Sequence, residues 1–230
     1  IIDSETEKLS KEKFNYSIIS LNEEQKIAKS EIINSINTSN KPILLEGVTG
    51  SGKTIMAMYA VSDYLAQHPD AVVSVIVPTK VLMYQWAETF AEILGLNEDT
   101  IGLRGDGFKD SFNIGKRVLV SIIDSARQGV LEADVNSLPN SVPHLLIADE
   151  CHRYGGEANR TVFDTPHDAI LGLSATPPGD EEEVDENYTP FDYISNGVYK
   201  TFLRGDRNIP YLINNRKGLL ERFVKKNNYS

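Results

Sequence analysis

The chain has 230 residues, of which 40% are hydrophobic and 24% are charged, and its formal net charge at pH 7 is -10. Its length and apolar content fit one folded domain, or one domain with an appendage, and its acidity argues against a generally basic nucleic-acid-binding protein. No apolar run approaches the roughly 18 residues of a membrane span, and the first residues lack the pattern of a signal peptide.

Strand and helix signals alternate along the chain. The first predicted element is a helix beginning near Leu21, with Ile27, Ile32, Ile33 and Ile36 on a common face. It is followed by strand Ile43–Leu45, a helix from Thr54 to about Gln67, strand Val72–Val77, a helix from about Val81 to Leu94, strand Arg117–Ile122, a short helix near Ser125, and strands His144–Ala148 and Ile170–Ser174. This alternation predicts an α/β fold with a mostly parallel sheet flanked by helices, in which ligands bind at the carboxyl ends of the strands.

The segment GVTGSGKT follows a short apolar strand and opens a predicted helix. It fits the phosphate-binding pattern G-x-x-x-x-G-K-[ST], in which glycines allow backbone N–H groups to turn inward around an anion. The ammonium of Lys53 would reach the β and γ phosphates, and the hydroxyl of Thr54 would ligate Mg²⁺. The alternative is a glycine-rich turn without a ligand. The predicted nucleotide-binding residues of this segment are Gly47, Val48, Thr49, Gly50, Ser51, Gly52, Lys53 and Thr54.

A second informative segment is HLLIADECHRYGG, in which an apolar run ends on Asp149 and Glu150. Both carboxylates are predicted at the carboxyl end of a strand, where the phosphate loop also lies. Asp149 would hold Mg²⁺ through its water shell, and Glu150 would orient or deprotonate the attacking water. Without the phosphate loop, the same pair would be an ordinary surface edge. Cys151 and His152 have no second cluster at ligand spacing, so no zinc site is expected.

These segments belong to an ordered series of motifs that resembles superfamily-two helicases and translocases. GVTGSGKT resembles motif I, VPTKVLMYQW resembles motif Ia, DECH resembles motif II and SATP resembles motif III, while Gln25 stands where a Q-motif glutamine would. The resemblance covers Leu21 to Pro177 and implies a RecA-like P-loop NTPase domain that uses ATP and Mg²⁺. The segments DECHRYGG and LGLSATPP look closest to the double-stranded-DNA helicase branch with the XPB-like and restriction-type motors.

The resemblance also implies roles for residues outside the phosphate loop. Gln25 would read adenine, since a side-chain amide pairs with the N6 and N7 edge of that base; the alternative is a solvent-exposed glutamine. Residues of motifs II and III would couple the state of the γ-phosphate to domain movement, and others would contact a nucleic-acid backbone. The coupling residues are His152, Ser174, Ala175 and Thr176, and the nucleic-acid contacts are Pro78, Thr79, Lys80, Arg104, Gly105 and Ser125.

Several of these residues also have plain structural explanations. Thr79 and Lys80 fit a helix start, and GLRGDG fits a simple turn. Ile122 stands where relatives commonly have a threonine, a departure that weakens the claim for a nucleic-acid contact near Ser125. The spacing of Met83, Trp86, Phe90 and Leu94 predicts a buried helical face.

The predicted domain organisation has three parts. Residues 1–20 are a tail or the edge of another domain, residues 21–178 form the ATP-binding domain, and residues 179–230 are an acidic loop and a C-terminal extension. The resemblance implies a second RecA-like domain with an arginine finger, which the residues after Pro177 are too few to form. We therefore expect a piece of a longer protein that hydrolyses ATP slowly in isolation. The single cysteine fits an intracellular location, cytoplasmic or nucleoid-associated, without a membrane partner.

The expected function is that of a motor domain of a nucleic-acid-dependent ATPase. A DNA helicase that couples hydrolysis to unwinding or translocation is favoured, and DNA is favoured over RNA as the partner. One alternative is a translocase that moves on duplex DNA without separating its strands. A second is a module in which ATP switches a protein-binding surface, which the negative net charge slightly favours.

Overall fold

The computed structural model describes residues 20–39, 41–47 and 49–175 and the strand Tyr199–Leu203. The helices are α1 (Glu23–Thr38), α2 (Lys53–Gln67), α3 (Lys80–Ile93), α4 (Ile123–Ala126), α5 (Val130–Asn136) and α6 (Glu157–Arg160). The strands are β1 (Ile43–Gly47), β2 (Val72–Val77), β3 (Ile101–Gly105), β4 (Phe108–Lys109), β5 (Val118–Ile122), β6 (His144–Asp149), β7 (Ala169–Ser174) and β8 (Tyr199–Leu203). Short 3₁₀ helices lie at Glu98–Thr100, Phe112–Ile114, Cys151–Tyr154 and Thr161–Asp164. None of these helices is long and apolar enough to cross a membrane.

The strands of the described part form one sheet in the order β4-β3-β5-β2-β6-β7-β1-β8. Every neighbouring pair is parallel except the antiparallel hairpin β3–β4. The prediction of a mostly parallel α/β sheet is therefore confirmed. Because β6, β7 and β1 are consecutive neighbours, the segments that follow their carboxyl ends meet at one edge of the sheet.

Helices cover both faces of the sheet, so its central strands are buried on both sides. In β2, the side chains of Val73, Val75 and Val77 pack in a core cluster with α1, α2 and α3. Val72 and Ile76 point the other way, into a second cluster that includes residues of α5. A strand that is apolar on both faces is typical of a parallel sheet between two helical layers, which explains why β2 has no polar alternation.

The helix predictions are accurate for α3 and partly wrong for α1. The predicted face of α3 is buried in full, with Trp86 only 1% exposed. In α1, Ile32 and Ile36 are buried, whereas Ile27 is 58% exposed. The buried face continues from Ile32 back to Ala28 and Gln25 at the spacing of a helix, and this path leaves Ile27 on the solvent side.

The hairpin β3–β4 and helix α5 are absent from the predicted elements. Glycines at positions 102 and 105 interrupt the apolar pattern of β3, and for that reason GLRGDG suggested a turn. Gly105 has φ +121°, and a Cβ atom there would lie 2.7 Å from the Cδ1 of Ile122. This position therefore requires glycine both for its backbone conformation and for the close packing of β3 against β5.

His144 at the start of β6 is buried and hydrogen-bonded at both ring nitrogens. Its Nδ1 lies 2.6 Å from the carbonyl oxygen of Pro166, and its Nε2 lies 2.9 Å from the hydroxyl of Ser74. Because a carbonyl only accepts, Nδ1 carries the proton and Nε2 accepts from Ser74. Burial lowers the pKa of His144 from 6.5 to about 4, while its bond to Pro166 opposes that change.

This burial predicts a pH-dependent stability. Between about pH 6.5 and pH 4 the unfolded chain binds a proton that folded His144 rejects, so stability falls as the pH decreases, by at most about 1.4 kcal/mol per pH unit. From pH 7.5 to pH 5.0 we expect a loss of about 2 kcal/mol in urea unfolding from this residue. His144→Gln keeps a donor and an acceptor but does not titrate, and its loss should be smaller by that amount. Equal pH dependence in both proteins would contradict the assignment.

Candidate nucleotide-binding site

The phosphate loop joins the carboxyl end of β1 to the first turn of α2. Gly50 and Gly52 have φ values of +84° and +94°, in the left-handed region that favours glycine. A Cβ atom at Gly50 would meet nothing within 4 Å, so the loop is open at this residue. Gly52 occupies the N-cap position of α2 and has no side chain with which to satisfy the first N–H groups of that helix. The loop therefore presents the donors that an anion requires. Of the predicted loop residues, Val48 lies outside the described part.

Lys53, the first residue of α2, is buried and reaches back across this loop. Its Nζ donates to the carbonyl oxygen of Gly47 at 2.6 Å. Burial lowers the pKa of Lys53, whereas the negative charges of Glu150 and Asp149 oppose that change. The ammonium and the two carboxylates therefore lie within electrostatic range of each other, which is the convergence expected from the order of β1, β7 and β6.

Gln25 connects helix α1 to the phosphate loop. Its Nε2 donates to the carbonyl oxygen of Ser51 at 3.0 Å, and its Oε1 accepts from the backbone N–H of Asn22 at 3.0 Å. The second bond belongs to a capping box that fixes the start of α1. Each of these bonds uses half of the capacity of its group, so the amide keeps one N–H and one lone pair with which it could bind adenine. Adenine reading by Gln25 stays a prediction, while the structure shows a link between α1 and the loop.

Asp149 is held at the end of β6 by two hydrogen bonds. Its Oδ2 accepts from the indole Nε1 of Trp86 at 2.8 Å, and its Oδ1 accepts from the backbone N–H of Glu150 at 3.0 Å. Burial raises the pKa of Asp149, and the bond from Trp86 opposes that change. The sequence predicted Trp86 only as a core residue. Its polar contact gives no local signal, since the partner is 63 residues away.

Glu150, His152 and Ser174 lie together beside Asp149. The Nδ1 of His152 is 2.9 Å from the hydroxyl of Ser174 and 3.5 Å from the Oε2 of Glu150. Glu150 has φ +53° and ψ +46°, a left-handed conformation that is uncommon for a residue with a side chain. The structure thus joins the ends of β6 and β7, as the motif series predicts. Ala175 follows Ser174 in the described chain, and Thr176 lies outside it.

Tyr154 supports the backbone at this point, a role that no local sequence pattern predicts. Its hydroxyl lies 2.7 Å from the carbonyl oxygen of Asp149 and 3.1 Å from that of Ile76. Burial raises the pKa of Tyr154 well above 10, so the hydroxyl keeps its proton and remains a donor. It ties the ends of β2 and β6 together below the carboxylates.

The predicted nucleic-acid contacts divide into exposed and buried residues. Thr79 and Lys80 are exposed at the start of α3, where the hydroxyl of Thr79 accepts from the backbone N–H of Leu82 at 3.3 Å. The Nζ of Lys80 lies 3.4 Å from the Oδ1 of Asp106, in the turn between β3 and β4. Pro78 and Ser125 are half-buried.

Arg104 and Gly105 are buried and do not lie on that exposed surface, so the geometry gives no support to the phosphate contact of Arg104, which stays a prediction. The guanidinium of Arg104 is buried, and its Nη2 donates to the Oδ2 of Asp134 at 2.6 Å and to the carbonyl oxygen of Asp110 at 2.9 Å. Gly105 is buried against Ile122, the residue that replaces the expected threonine. Alternation along β3 directs Arg104 toward α5 and away from solvent.

Comparison with known proteins agrees with the interpretation of these motifs. The sequence profile of the family described as Type III restriction enzyme, res subunit, matches residues 18–179, which is more than half of the chain. The chain belongs to this family. The match to the res-subunit family includes the phosphate loop, DECH and the SATP segment, and it confirms the resemblance to superfamily-two helicases. Motifs, family and fold together identify a helicase-type domain that uses a nucleotide.

Similar proteins are longer than this chain. The replication restart protein PriA of Rickettsia conorii is 41% identical over 81 residues, which are 35% of this chain and 12% of that protein. The Hef helicase domain of Pyrococcus furiosus has a TM-score of 0.61 at 19% identity, covering 87% of this chain and 41% of that one. The Sulfolobus solfataricus SWI2/SNF2 ATPase core in complex with dsDNA has a TM-score of 0.57 at 15% identity, with coverages of 85% and 46%. These structures confirm the RecA-like fold.

Proposed function

We propose that this chain is the ATP-binding motor domain of a nucleic-acid-dependent ATPase that acts as a helicase or translocase. The observation that carries the proposal is the convergence of Lys53, Asp149 and Glu150 at the sheet edge where the glycine-rich loop opens α2. A cation, two carboxylates and free backbone donors are the groups that bind and hydrolyse a nucleoside triphosphate. Membership of the res-subunit family supports the same conclusion.

The residues around the loop fit magnesium and phosphate. Asp149 and Thr54 supply hard oxygen donors, which are the ligands that Mg²⁺ prefers. Within the described residues, the hydroxyl of Ser51 is buried and has no hydrogen-bond partner, as expected for a group that faces a polar ligand. When bound, Mg²⁺ would neutralise charge on the transferred phosphoryl group.

Each residue then has a defined task. Lys53 exchanges its bond to the Gly47 carbonyl for phosphate oxygens, and the N-terminus of α2 favours the negative charge. Glu150 orients the attacking water and accepts its proton. His152 and Ser174 connect Glu150 to the end of β7, so a change at the γ-phosphate reaches the segment that follows.

The proposal is tested by nucleotide binding and hydrolysis in this chain. Wild type should bind ATP more tightly with Mg²⁺ than with EDTA, while hydrolysis by this chain alone should stay slow. In a longer form of the protein that includes a second motor domain, nucleic acid should stimulate hydrolysis at low salt. Lys53→Ala is the control and should lose ATP affinity. Failure to bind Mg·ATP at millimolar concentration would refute the proposal. ATP binding by the longer protein without any binding or stimulation by nucleic acid at low salt would favour the nucleotide-switched protein module.

We infer that DNA is the preferred nucleic acid. The motif series looks closest to duplex-DNA motors, and one protein of similar fold was solved in complex with dsDNA. That likeness also keeps a translocase without strand separation as a second candidate. A strand-displacement assay beside a triplex-displacement assay discriminates the two, because a translocase removes the third strand while the duplex stays intact. Greater stimulation by RNA than by DNA would overturn the preference.

Lys80 offers a test of the nucleic-acid surface. If its exposed ammonium contacts one phosphate, Lys80→Ala should weaken binding to all sequences similarly and reduce the slope of log K against log salt by about 1. Fluorescence anisotropy with labelled DNA at several salt concentrations measures this slope. Lys116→Ala is the control, since Lys116 binds the carbonyl oxygen of Asp99 near the opposite end of β3. An unchanged slope in Lys80→Ala would remove Lys80 from the contact surface.

A further inference from the structure

Trp86 links helix α3, which packs on the core, to Asp149, the acidic residue at the end of β6. Its indole is 1% exposed, and its ring lies 5.7 Å from that of Phe90 between centroids. A buried indole N–H needs an acceptor, and many core tryptophans use a backbone carbonyl. Here the acceptor is the carboxylate of Asp149, at 2.8 Å. A hydrogen bond to an ionised group is shorter and stronger than one between neutral groups.

The two bonds of Asp149 come from different parts of the fold. Oδ2 is bonded to α3 through Trp86, and Oδ1 is bonded to the next backbone N–H, of Glu150. A carboxylate has about four acceptor sites, so each oxygen keeps capacity for another donor or for a metal-bound water. With both oxygens bonded, rotation of the carboxylate about its last bond would break at least one contact. Its orientation is therefore fixed before any ligand arrives.

We propose that Trp86 is a positioning residue for magnesium-nucleotide binding, which holds the carboxylate of Asp149 through its indole N–H in the orientation that the metal's water shell requires. This inference rests on the proposed function and adds a residue from α3 to the site. A side chain that hydrogen-bonds to a metal ligand sets the orientation of that ligand, and its loss lowers metal affinity or activity by about 10- to 100-fold. Phe90 contributes only packing of the ring, so the polar contact can be separated from the apolar one.

Trp86 also gives the site its own spectroscopic signal. It is the single tryptophan of the 230 residues, so tryptophan emission from this chain comes from Trp86 alone. Its N–H is bonded to the carboxylate that would face the metal. Withdrawal of electron density from that carboxylate by magnesium should alter the hydrogen bond and hence the emission.

The test compares ADP binding with Mg²⁺ and with EDTA by calorimetry in wild type and Trp86→Phe. The variant keeps an aromatic ring and loses the N–H donor, so the ratio of the two affinities should fall by about 10- to 100-fold while affinity in EDTA stays unchanged. Phe112→Leu is the control, since Phe112 is a buried aromatic residue of the second core cluster, and it should keep the wild-type ratio. An unchanged ratio in Trp86→Phe would overturn the inference.

A second measurement needs no variant. Emission of wild-type Trp86 should change when Mg·ADP is added and should not change when ADP is added with EDTA. Constant emission in a protein that calorimetry shows to bind Mg·ADP would overturn the positioning role and leave the proposed function intact. Failure of wild type to bind ADP under either condition would instead refute the proposed function, and the inference with it.

Discussion

Replacement of Glu150 with glutamine should lower the rate of ATP hydrolysis by about 100- to 10,000-fold, which is the usual contribution of a general base. The affinity for Mg·ATP should stay close to that of wild type, because Lys53, the loop and Asp149 are unchanged. Glutamine has the same shape as glutamate, but its amide accepts a proton poorly. Glu150→Gln therefore separates binding from chemistry.

The left-handed backbone of Glu150 makes this substitution informative. Its φ of +53° is a conformation that costs about 1–2 kcal/mol for a residue other than glycine, and its Oε2 lies 3.5 Å from the Nδ1 of His152. Glutamine meets the same backbone constraint, so a change in hydrolysis reports the lost carboxylate rather than a relaxed turn.

Single-turnover hydrolysis and equilibrium ATP binding together measure the effect of Glu150→Gln. Glu157→Gln is the matched control, since Glu157 is exposed in α6 and should have the wild-type rate. Hydrolysis by Glu150→Gln at the wild-type rate would show that another group activates water. A large loss of ATP affinity would assign Glu150 to binding instead.

Local sequence patterns were sufficient to predict the phosphate loop and the position of the two acids at the end of β6. The phosphate loop has a signature of glycines and a lysine at fixed spacing. The two acids follow an apolar run, and ligands of a parallel sheet bind at the carboxyl ends of its strands. Elements with a continuous apolar pattern, such as β2 and α3, were placed within one residue of their observed ends. These features depend on neighbours in the chain.

Contacts between distant residues could not be predicted in the same way. The indole of Trp86 and the carboxylate of Asp149 meet only because β2 and β6 are adjacent, which places the start of α3 over the end of β6. Arg104 looked like a surface cation because its partner Asp134 lies 30 residues later, on a helix that was not predicted. A charged residue inside a strand signals burial only when its counter-ion is known.

Among the charged contacts of the residues that the structure describes, the buried pair of Arg104 and Asp134 should have the largest effect on stability. Asp134→Leu would leave the guanidinium buried without its carboxylate, and we expect a loss of about 3–5 kcal/mol in the free energy of unfolding. The double variant Arg104→Met with Asp134→Leu removes both charges and should be more stable than Asp134→Leu alone, since apolar residues of similar size often replace a buried pair without cost.

Urea unfolding of the two single variants and the double variant gives the coupling energy between Arg104 and Asp134. The exposed pair Lys26 and Glu23 is the control and should couple by less than about 0.5 kcal/mol, because solvent screens it.

In DNA binding, Arg104→Met should keep the wild-type salt dependence, whereas Lys80→Ala should reduce it. A lower salt slope in folded Arg104→Met would show that the guanidinium leaves Asp134 to contact phosphate, and would restore Arg104 to the nucleic-acid surface.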